Sequence, residues 1–147
     1  MRKSRYIIAI AALFTLGILS AEAIDHPGAT LPVASPERLS LVSAGKPLPI
    51  VVSSNDNPAV LHAAKNLQKD FERVTGILPF MGDNTQAKTA IIIGTLDSPL
   101  IKEMVSKGKI DAGQLVGLTE KYMITTVTDP ADGINEALVI TGSDRRG

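Results

Sequence analysis

The sequence predicts an α/β or α+β fold, with a mixed sheet of about five to six strands and two main helices. Three consecutive isoleucines lie in Thr89–Gly94, so this strand lacks alternation and is expected to be covered on both faces. Two amphipathic stretches with helix-capping residues lie on either side of it. The predicted order β-β-α-β-β-α-β-β contains no repeat and combines hairpins with helical crossovers, which favours a mixed rather than a fully parallel sheet.

Length and composition limit the classes of function that the chain can have. The chain has 147 residues, enough for one ordinary domain. It has 15 basic and 15 acidic side chains, so no basic excess is available for nucleic acid. The absence of cysteine excludes disulfides, thiolate nucleophiles and cysteine metal sites. Only two Tyr and no Trp are present, which argues against an independent carbohydrate-binding module.

Residues 1–23 are predicted to be a signal peptide. A basic start precedes an apolar run from Tyr6 to Leu19, and Ala21-Glu22-Ala23 then provides a small-x-small cleavage pattern. A membrane anchor is the alternative, but the apolar run is shorter than the ~20 residues of a spanning helix. We therefore expect export out of the cytoplasm, to a periplasm or to the medium, with no membrane partner after cleavage.

Residues 24–37 are predicted to form an irregular leader, because prolines and a glycine interrupt them. The remaining residues, 38–147, are predicted to form the α/β domain. Arg38–Val42 is expected to be a short strand whose hairpin partner is Leu48–Val52. Pro49 lacks a backbone donor, which favours either an edge position or the beginning of the strand.

The longest helix is predicted to begin after the N-cap Asn57, with Pro58 as its first residue, and to end at Gly76. Apolar residues recur within it at spacings of three and four. The face expected to pack on the sheet contains Val60, Leu67, Phe71 and Val74. Ile77–Met81 is predicted to be extended, and a polar loop then leads to the central strand.

The second helix is predicted from Pro99 to about Lys107, with Ser98 as its cap. Ile110–Thr119 is ambiguous and is compatible with one helical turn. Tyr122–Val127 and Glu136–Ile140 are expected to form an antiparallel hairpin around the turn Asp129–Gly133.

No metal or cofactor site is predicted. His26 and His62 lie far apart, and neither has a carboxylate at metal-ligand spacing, so surface or packing roles are favoured. Ile93-Gly94-Thr95 precedes a helix but lacks the glycine patterns of phosphate-binding loops. A tight turn is the simpler interpretation of this glycine.

No catalytic residue is predicted either. A glycosidase needs two carboxylates across one cleft, and sequence alone cannot pair the candidates. Most of them lie in turns or caps, where aspartate is common for local reasons. No serine lies in a nucleophile-elbow context. The candidate carboxylates are Asp97, Asp111, Glu120, Asp129, Asp132, Glu136 and Asp144.

The last segment contains a buried strand, Ala137–Gly142, followed by the turn Ser143–Gly147. A frayed polar tail is one interpretation. We favour the other, in which the turn leads into a helix that packs back on the sheet, so that the domain continues beyond Gly147.

The chain contains four short motifs of interest: Asp25–Ala29, Ile50–Val52, Ala90–Thr95 and Ile140–Gly147. Together they resemble the N-terminal region of glycoside hydrolase family 115, the exported bacterial xylan α-1,2-glucuronidases. They are spread over residues 25–147, and the Gly-Ser-Asp-Arg-Arg-Gly ending is the most specific. A related domain precedes the barrel in other α-glucuronidases and in β-hexosaminidases.

The resemblance implies a non-catalytic α/β domain before a (β/α)₈ barrel that would act on glucuronoxylan or its oligosaccharides. A barrel takes about 250 residues, and none is present, so no catalytic residue is carried over. Asp144, Arg145 and Arg146 are candidates for the interface with the barrel or for the edge of its substrate cleft. The alternative is a stand-alone exported protein that binds a small ligand or carbohydrate through the loops after Ile93 and Ile140.

Overall fold

The structure is a computed structural model, and it describes residues 39–147. All of these residues belong to one compact unit. The predicted signal peptide (residues 1–23) and leader (residues 24–37) lie outside the described residues, as does Arg38.

A mixed five-stranded sheet with two helices forms the framework, which confirms the predicted fold class. The strands are β3 (Ile50–Val52), β4 (Met81–Gly82), β5 (Thr89–Thr95), β6 (Tyr122–Ala131) and β7 (Ile134–Gly142). Their spatial order is β4-β3-β5-β7-β6. The first four strands in that order are parallel, and β6 pairs antiparallel to β7 at one edge.

Strand β5 lies in the middle of the sheet, as the isoleucine run predicted. It pairs with β3 on one side and with β7 along its whole length on the other. Ala90, Ile91 and Ile92 are each at most 1% exposed, so both faces of the strand are covered. This burial accounts for the lack of alternation in its sequence.

The two helices cover opposite faces of the sheet. Helix α1 (Pro58–Thr75) packs its buried Val60 and Ala64 on the face that contains Ile50 and Ile91. Helix α2 (Pro99–Ser106) packs on the other face, where its two buried side chains join the second core cluster. Those side chains are Ile101 and Met104, which lie among Val51, Ala90, Ile92, Ala137 and Val139.

Helix α1 has the predicted ends. The side chain of Asn57 accepts a hydrogen bond from the N–H of Ala59 at 3.0 Å, and Gly76 adopts a left-handed φ of 74°. The predicted buried face is wrong at one position, because Val74 is 85% exposed. Leu67 and Phe71 are half-buried against the sheet, whereas Val74, in the last turn, is not among the residues that pack on this cluster.

The first hairpin differs from its prediction. It is a separate two-stranded ladder of β1 (Val42–Ser43) and β2 (Lys46–Pro47), closed by a turn with positive φ at both central residues. Of the expected pairing between Arg38–Val42 and Leu48–Val52, the described residues retain one backbone hydrogen bond, from the N–H of Leu48 to the carbonyl of Leu41 at 2.9 Å. Ile50–Val52 instead lies inside the main sheet, since three fully buried apolar residues need cover on both faces.

Pro49 directly precedes β3. Of its two predicted positions, an edge strand or the beginning of a strand, the second is therefore the one observed. The hairpin β6–β7 is confirmed as antiparallel, but its turn is tighter than expected. Strand β6 continues through an irregularity between Thr128 and Ala131, and Asp129 there has a φ of 49°. The expected helical turn after α2 is a short 3₁₀ helix, Ala112–Gln114.

Candidate functional site

A groove of about 580 Å³ lies at the carboxyl ends of the parallel strands. We call it the strand-end groove. Three loops line it, following β3, β5 and β7 respectively: Asn55–Pro58, Asp97–Pro99 together with Thr95, and Asp144–Arg146.

The topology explains why a groove opens there. The chain leaves β3 toward the face covered by α1, whereas it leaves the neighbouring β5 toward the face covered by α2. Adjacent strands whose connections diverge in this way leave a crevice between their loops, and ligands of open sheets favour that position. Both helices therefore begin at the groove, with Asn57 and Ser98 as their N-cap residues.

The second loop is held tightly against the sheet. A Cβ atom placed on Gly94 would lie 2.9 Å from the Cβ of Ser98 and 3.0 Å from a side-chain carbon of Ile101. The N–H of Ser98 donates to the carbonyl of Thr95 at 3.0 Å, and the hydroxyl of Thr95 accepts from the N–H of Asp97 at 3.3 Å. The missing side chain of Gly94 is therefore what allows α2 to begin so close to β5.

The third loop, Ser143–Gly147, is folded back against the residues that precede β6. The N–H of Ser143 donates to the carbonyl of Lys121 at 2.8 Å, and its hydroxyl accepts from the N–H of Lys121 at 3.1 Å. The carboxylate of Asp144 accepts from the N–H of Arg146 at 2.8 Å and from that of Glu120 at 3.0 Å. Ser143–Gly147 forms a turn, as the sequence predicted, and the helix expected to follow it beyond Gly147 stays a prediction.

These hydrogen bonds favour the charged form of Asp144. The N–H of Arg146, then that of Glu120, lowers the pKa of this carboxyl below its ordinary value of 3.8. Arg146 also pairs with Glu120 at 2.8 Å, but both side chains are more than half exposed. Such an exposed pair contributes little by itself.

The charges around the strand-end groove are mixed. Asp56, Asp97 and Asp144 bring three carboxylates to it, and Arg145 and Arg146 bring two guanidinium groups. One oxygen of Asp56, Oδ2, is buried and has no hydrogen-bond partner among the described residues. The groove thus offers hydrogen-bonding groups of both kinds and suits a polar ligand or a polar protein surface better than a simple anion.

The other candidate carboxylates are dispersed. Asp132 lines a smaller cavity of about 240 Å³ together with Asp83 and Glu103. Asp111 caps the 3₁₀ helix through the N–H of Gly113. Glu120 pairs with Arg146, Asp129 lies in the irregularity of β6, and Glu136 lies opposite Thr89 and Thr128 in the sheet.

Asp83 has a structural role. Its Oδ1 accepts from the N–H of Ser54 at 2.6 Å, and this backbone hydrogen bond is the main cause that lowers the pKa of Asp83. It joins the loop after β4 to the loop after β3. His62 is exposed on α1, and His26 lies outside the described residues. Within residues 39–147, no group of three or more histidines and carboxylates is arranged to hold a metal ion.

Comparison with known proteins adds no identification. No known protein family matches the chain, and no curated protein matches it either. In the part of the chain that the structure describes, neither helix is long and apolar enough to cross a membrane.

Proposed function

We propose that residues 38–147 are the non-catalytic N-terminal domain of an exported glycoside hydrolase, one that removes 4-O-methyl-glucuronic acid from glucuronoxylan. The domain itself would support a catalytic barrel and border its substrate cleft. The barrel would be its partner, and the domain would contribute no acid or base to the reaction.

The observation that carries this proposal concerns the Gly-Ser-Asp-Arg-Arg-Gly ending. It is the most specific of the motifs that resemble the α-glucuronidase family, and it forms the third wall of the strand-end groove. Its backbone is fixed by the hydrogen bonds of Ser143 and Asp144, so the side chains of Arg145 and Arg146 project from a defined turn. A fixed turn with two exposed arginines is well suited to bidentate pairing with carboxylates of another module.

Arg145 is the better candidate for that contact. Among residues 39–147 it takes part in none of the ion pairs, whereas Arg146 already pairs with Glu120. We expect Arg145 to pair with an acidic residue of the barrel. Contact with the uronate carboxylate of the substrate is the second possibility.

Two measurements test the proposal. The first is the coding DNA beyond the codon for Gly147, which should continue as an open frame long enough for a barrel of about 250 residues. A stop codon at that point would contradict the proposal. The second is an assay of the 147-residue chain with aldouronic acids, which should release no 4-O-methyl-glucuronic acid. Any turnover would equally contradict it.

The alternative is a stand-alone exported protein that binds a small ligand or carbohydrate. The position of the strand-end groove favours it, because the loops after β3, β5 and β7 meet where open sheets bind ligands. The absence of aromatic side chains from its lining disfavours strong stacking of a sugar ring.

Nuclear magnetic resonance separates the two functions. Under the alternative, glucuronic acid or xylo-oligosaccharides should shift the amide signals of Thr95, Ser98 and Arg145 in wild-type protein. An Arg145→Ala variant should weaken that response, whereas Arg73→Ala, on the exposed side of α1, should leave it unchanged. Absence of any shift in the groove would remove the alternative and leave the accessory-domain proposal standing.

A further inference from the structure

We propose that the strand-end groove binds a small zwitterion, a free α-amino acid, whose ammonium pairs with Asp56 and whose carboxylate pairs with Arg145. Such a ligand requires neither a barrel nor a carbohydrate, so the proposal goes beyond the proposed function. It rests on the charges that the fold leaves unpaired in the groove.

Three of the five charged side chains in the groove already have partners. Asp97 pairs with Lys102 at 3.2 Å, and Arg146 pairs with Glu120 at 2.8 Å. Asp144 accepts hydrogen bonds from three backbone N–H groups. Two charged groups are therefore left to interact with a ligand.

The two remaining groups have opposite charges. Asp56 uses Oδ1 to accept from the N–H of Asn57 at 2.7 Å, whereas its buried Oδ2 has no partner among residues 39–147. A buried carboxylate oxygen without a donor costs free energy, so Asp56 is suited to receive a cationic donor. Arg145 takes part in none of the ion pairs of the described residues. A ligand with one cationic and one anionic group would satisfy both side chains.

Asp56 and Arg145 lie on the two outer walls of the groove. They belong to the loops after β3 and β7, which are the two neighbours of β5 in the sheet. Neighbouring strands are spaced by about 4.8 Å, so these walls are about 10 Å apart where the strands end. Once the two side chains occupy part of this width, the space suits a ligand whose charges are close together. An α-amino acid carries both of its charges on one carbon.

The middle wall, formed by the loop after β5, adds two hydroxyl groups. Thr95 and Ser98 are 6% and 3% exposed. The hydroxyl of Thr95 accepts from the N–H of Asp97 and can still donate its own hydrogen. The side chain of Ser98 makes no capping hydrogen bond to α2. Both hydroxyls can therefore bond to the polar groups of a ligand held between the outer walls.

Amide chemical shifts of the isotopically labelled chain test the proposal, in titrations with three matched compounds at slightly acidic pH. Glycine carries both charges, glycinamide lacks the carboxylate, and N-acetylglycine lacks the ammonium. We expect glycine to shift the amide signals of Asp56, Ser98 and Arg145. Each of the other two compounds should bind about tenfold more weakly, because it loses one charge-assisted hydrogen bond.

Two variants assign each charge of the groove to one end of the ligand. Asp56→Asn should weaken glycine and glycinamide about tenfold and leave N-acetylglycine unchanged, because only the first two carry an ammonium. Arg145→Gln should weaken glycine and N-acetylglycine and leave glycinamide unchanged. Asp70→Asn and Arg73→Gln are the matched controls, since this ion pair is exposed on α1 and does not line the groove.

Absence of any shift with glycine would overturn the proposal. Glycinamide or N-acetylglycine binding as tightly as glycine would also overturn it. So would groove variants that weaken all three compounds equally, because that pattern reports a changed structure and not a lost charge. None of these results bears on the accessory-domain function, which the coding DNA beyond the codon for Gly147 tests separately.

Discussion

The carboxylate of Asp144 accepts a hydrogen bond from the backbone N–H of Glu120, at 3.0 Å and across 24 residues of sequence. The same carboxylate accepts from the N–H groups of Arg146 and Gly147. One side chain therefore joins the loop after β7 to the residues before β6, and it holds the turn that carries Arg145 and Arg146.

This arrangement predicts the titration of Asp144. Its pKa is lowered in the folded protein, so its contribution to stability is fully present above the ordinary value of 3.8. That contribution is lost as the pH falls through the lowered pKa. A carbon-detected titration of the Asp144 carboxyl should have its midpoint below 3.8.

The matched variant is Asp144→Asn, which keeps the shape but loses the charge. We expect faster hydrogen exchange at Glu120 and Arg146 near neutral pH, with little change at amides of the α1 helix. A midpoint at or above the ordinary value, or unchanged exchange at Glu120, would contradict the role given to Asp144.

Gly94 should be intolerant of a side chain. Gly94→Ala would place a methyl group 2.9 Å from the Cβ of Ser98 and 3.0 Å from Ile101, so α2 must shift. We expect a loss of about 1–3 kcal/mol in the free energy of unfolding, measured by urea denaturation. Adding Ser98→Gly should recover part of that loss, because the two positions are in contact. Unchanged stability in Gly94→Ala would show that α2 packs less closely on β5 at Gly94 than described.

Thr141 offers a stabilising substitution. Its side chain is fully buried on the face covered by α2, and its hydroxyl has no partner among the described residues. Thr141→Val keeps the shape and removes the unpaired polar group, so we expect a gain of about 1 kcal/mol in the free energy of unfolding. Thr89→Val, at a half-buried position of β5, should change it less. A loss of stability in Thr141→Val would indicate that the hydroxyl has a partner.

Ile101 and Val74 should differ widely in their contributions. Ile101 is fully buried between α2 and the sheet, whereas Val74 is 85% exposed. We expect Ile101→Ala to cost about 2–5 kcal/mol, and Val74→Ala to remain within about 0.5 kcal/mol of wild type. Comparable losses in the two variants would mean that Val74 is covered by a contact not seen among residues 39–147.

The sequence predicted correctly those elements that are determined by residues close together in the chain. Asn57, Pro58 and Gly76 define the ends of α1 through capping chemistry within a few residues. The isoleucine run predicted β5 because burial on both faces removes alternation. Ile50–Val52 was assigned the wrong partner, because a short apolar run is compatible with many pairings and only the tertiary structure selects one. Val74 follows the helical period, but the period alone does not tell how far along the helix its apolar face stays covered.

The strand-end groove was only partly foreseen. Asp144, Arg145 and Arg146 were selected from the sequence, and all three line it, together with Asp97 from the candidate carboxylates. The alternative prediction also named the loops after Ile93 and Ile140, which form two walls of the groove. The sequence did not predict the third wall, with Asn55 and Asp56, since its closeness to the others depends on β3 and β5 being parallel neighbours. The groove follows from the two helices covering opposite faces of the sheet. The order of elements along the chain does not tell which face each helix covers.

The pairing of β5 with β7 also bears on how quickly the protein folds. Thr89 pairs with Glu136, so the most extensive contact of the central strand joins distant parts of the chain, whereas β6 and β7 are joined by a tight turn. Distant pairings form slowly, because a long loop must be closed before they are made. We expect β6–β7 to gain amide protection before β5 in pulse-labelling hydrogen exchange. We expect Ile91, Ile92 and Ile93 to be uncovered during that interval, and misassembly between chains to begin at this short run.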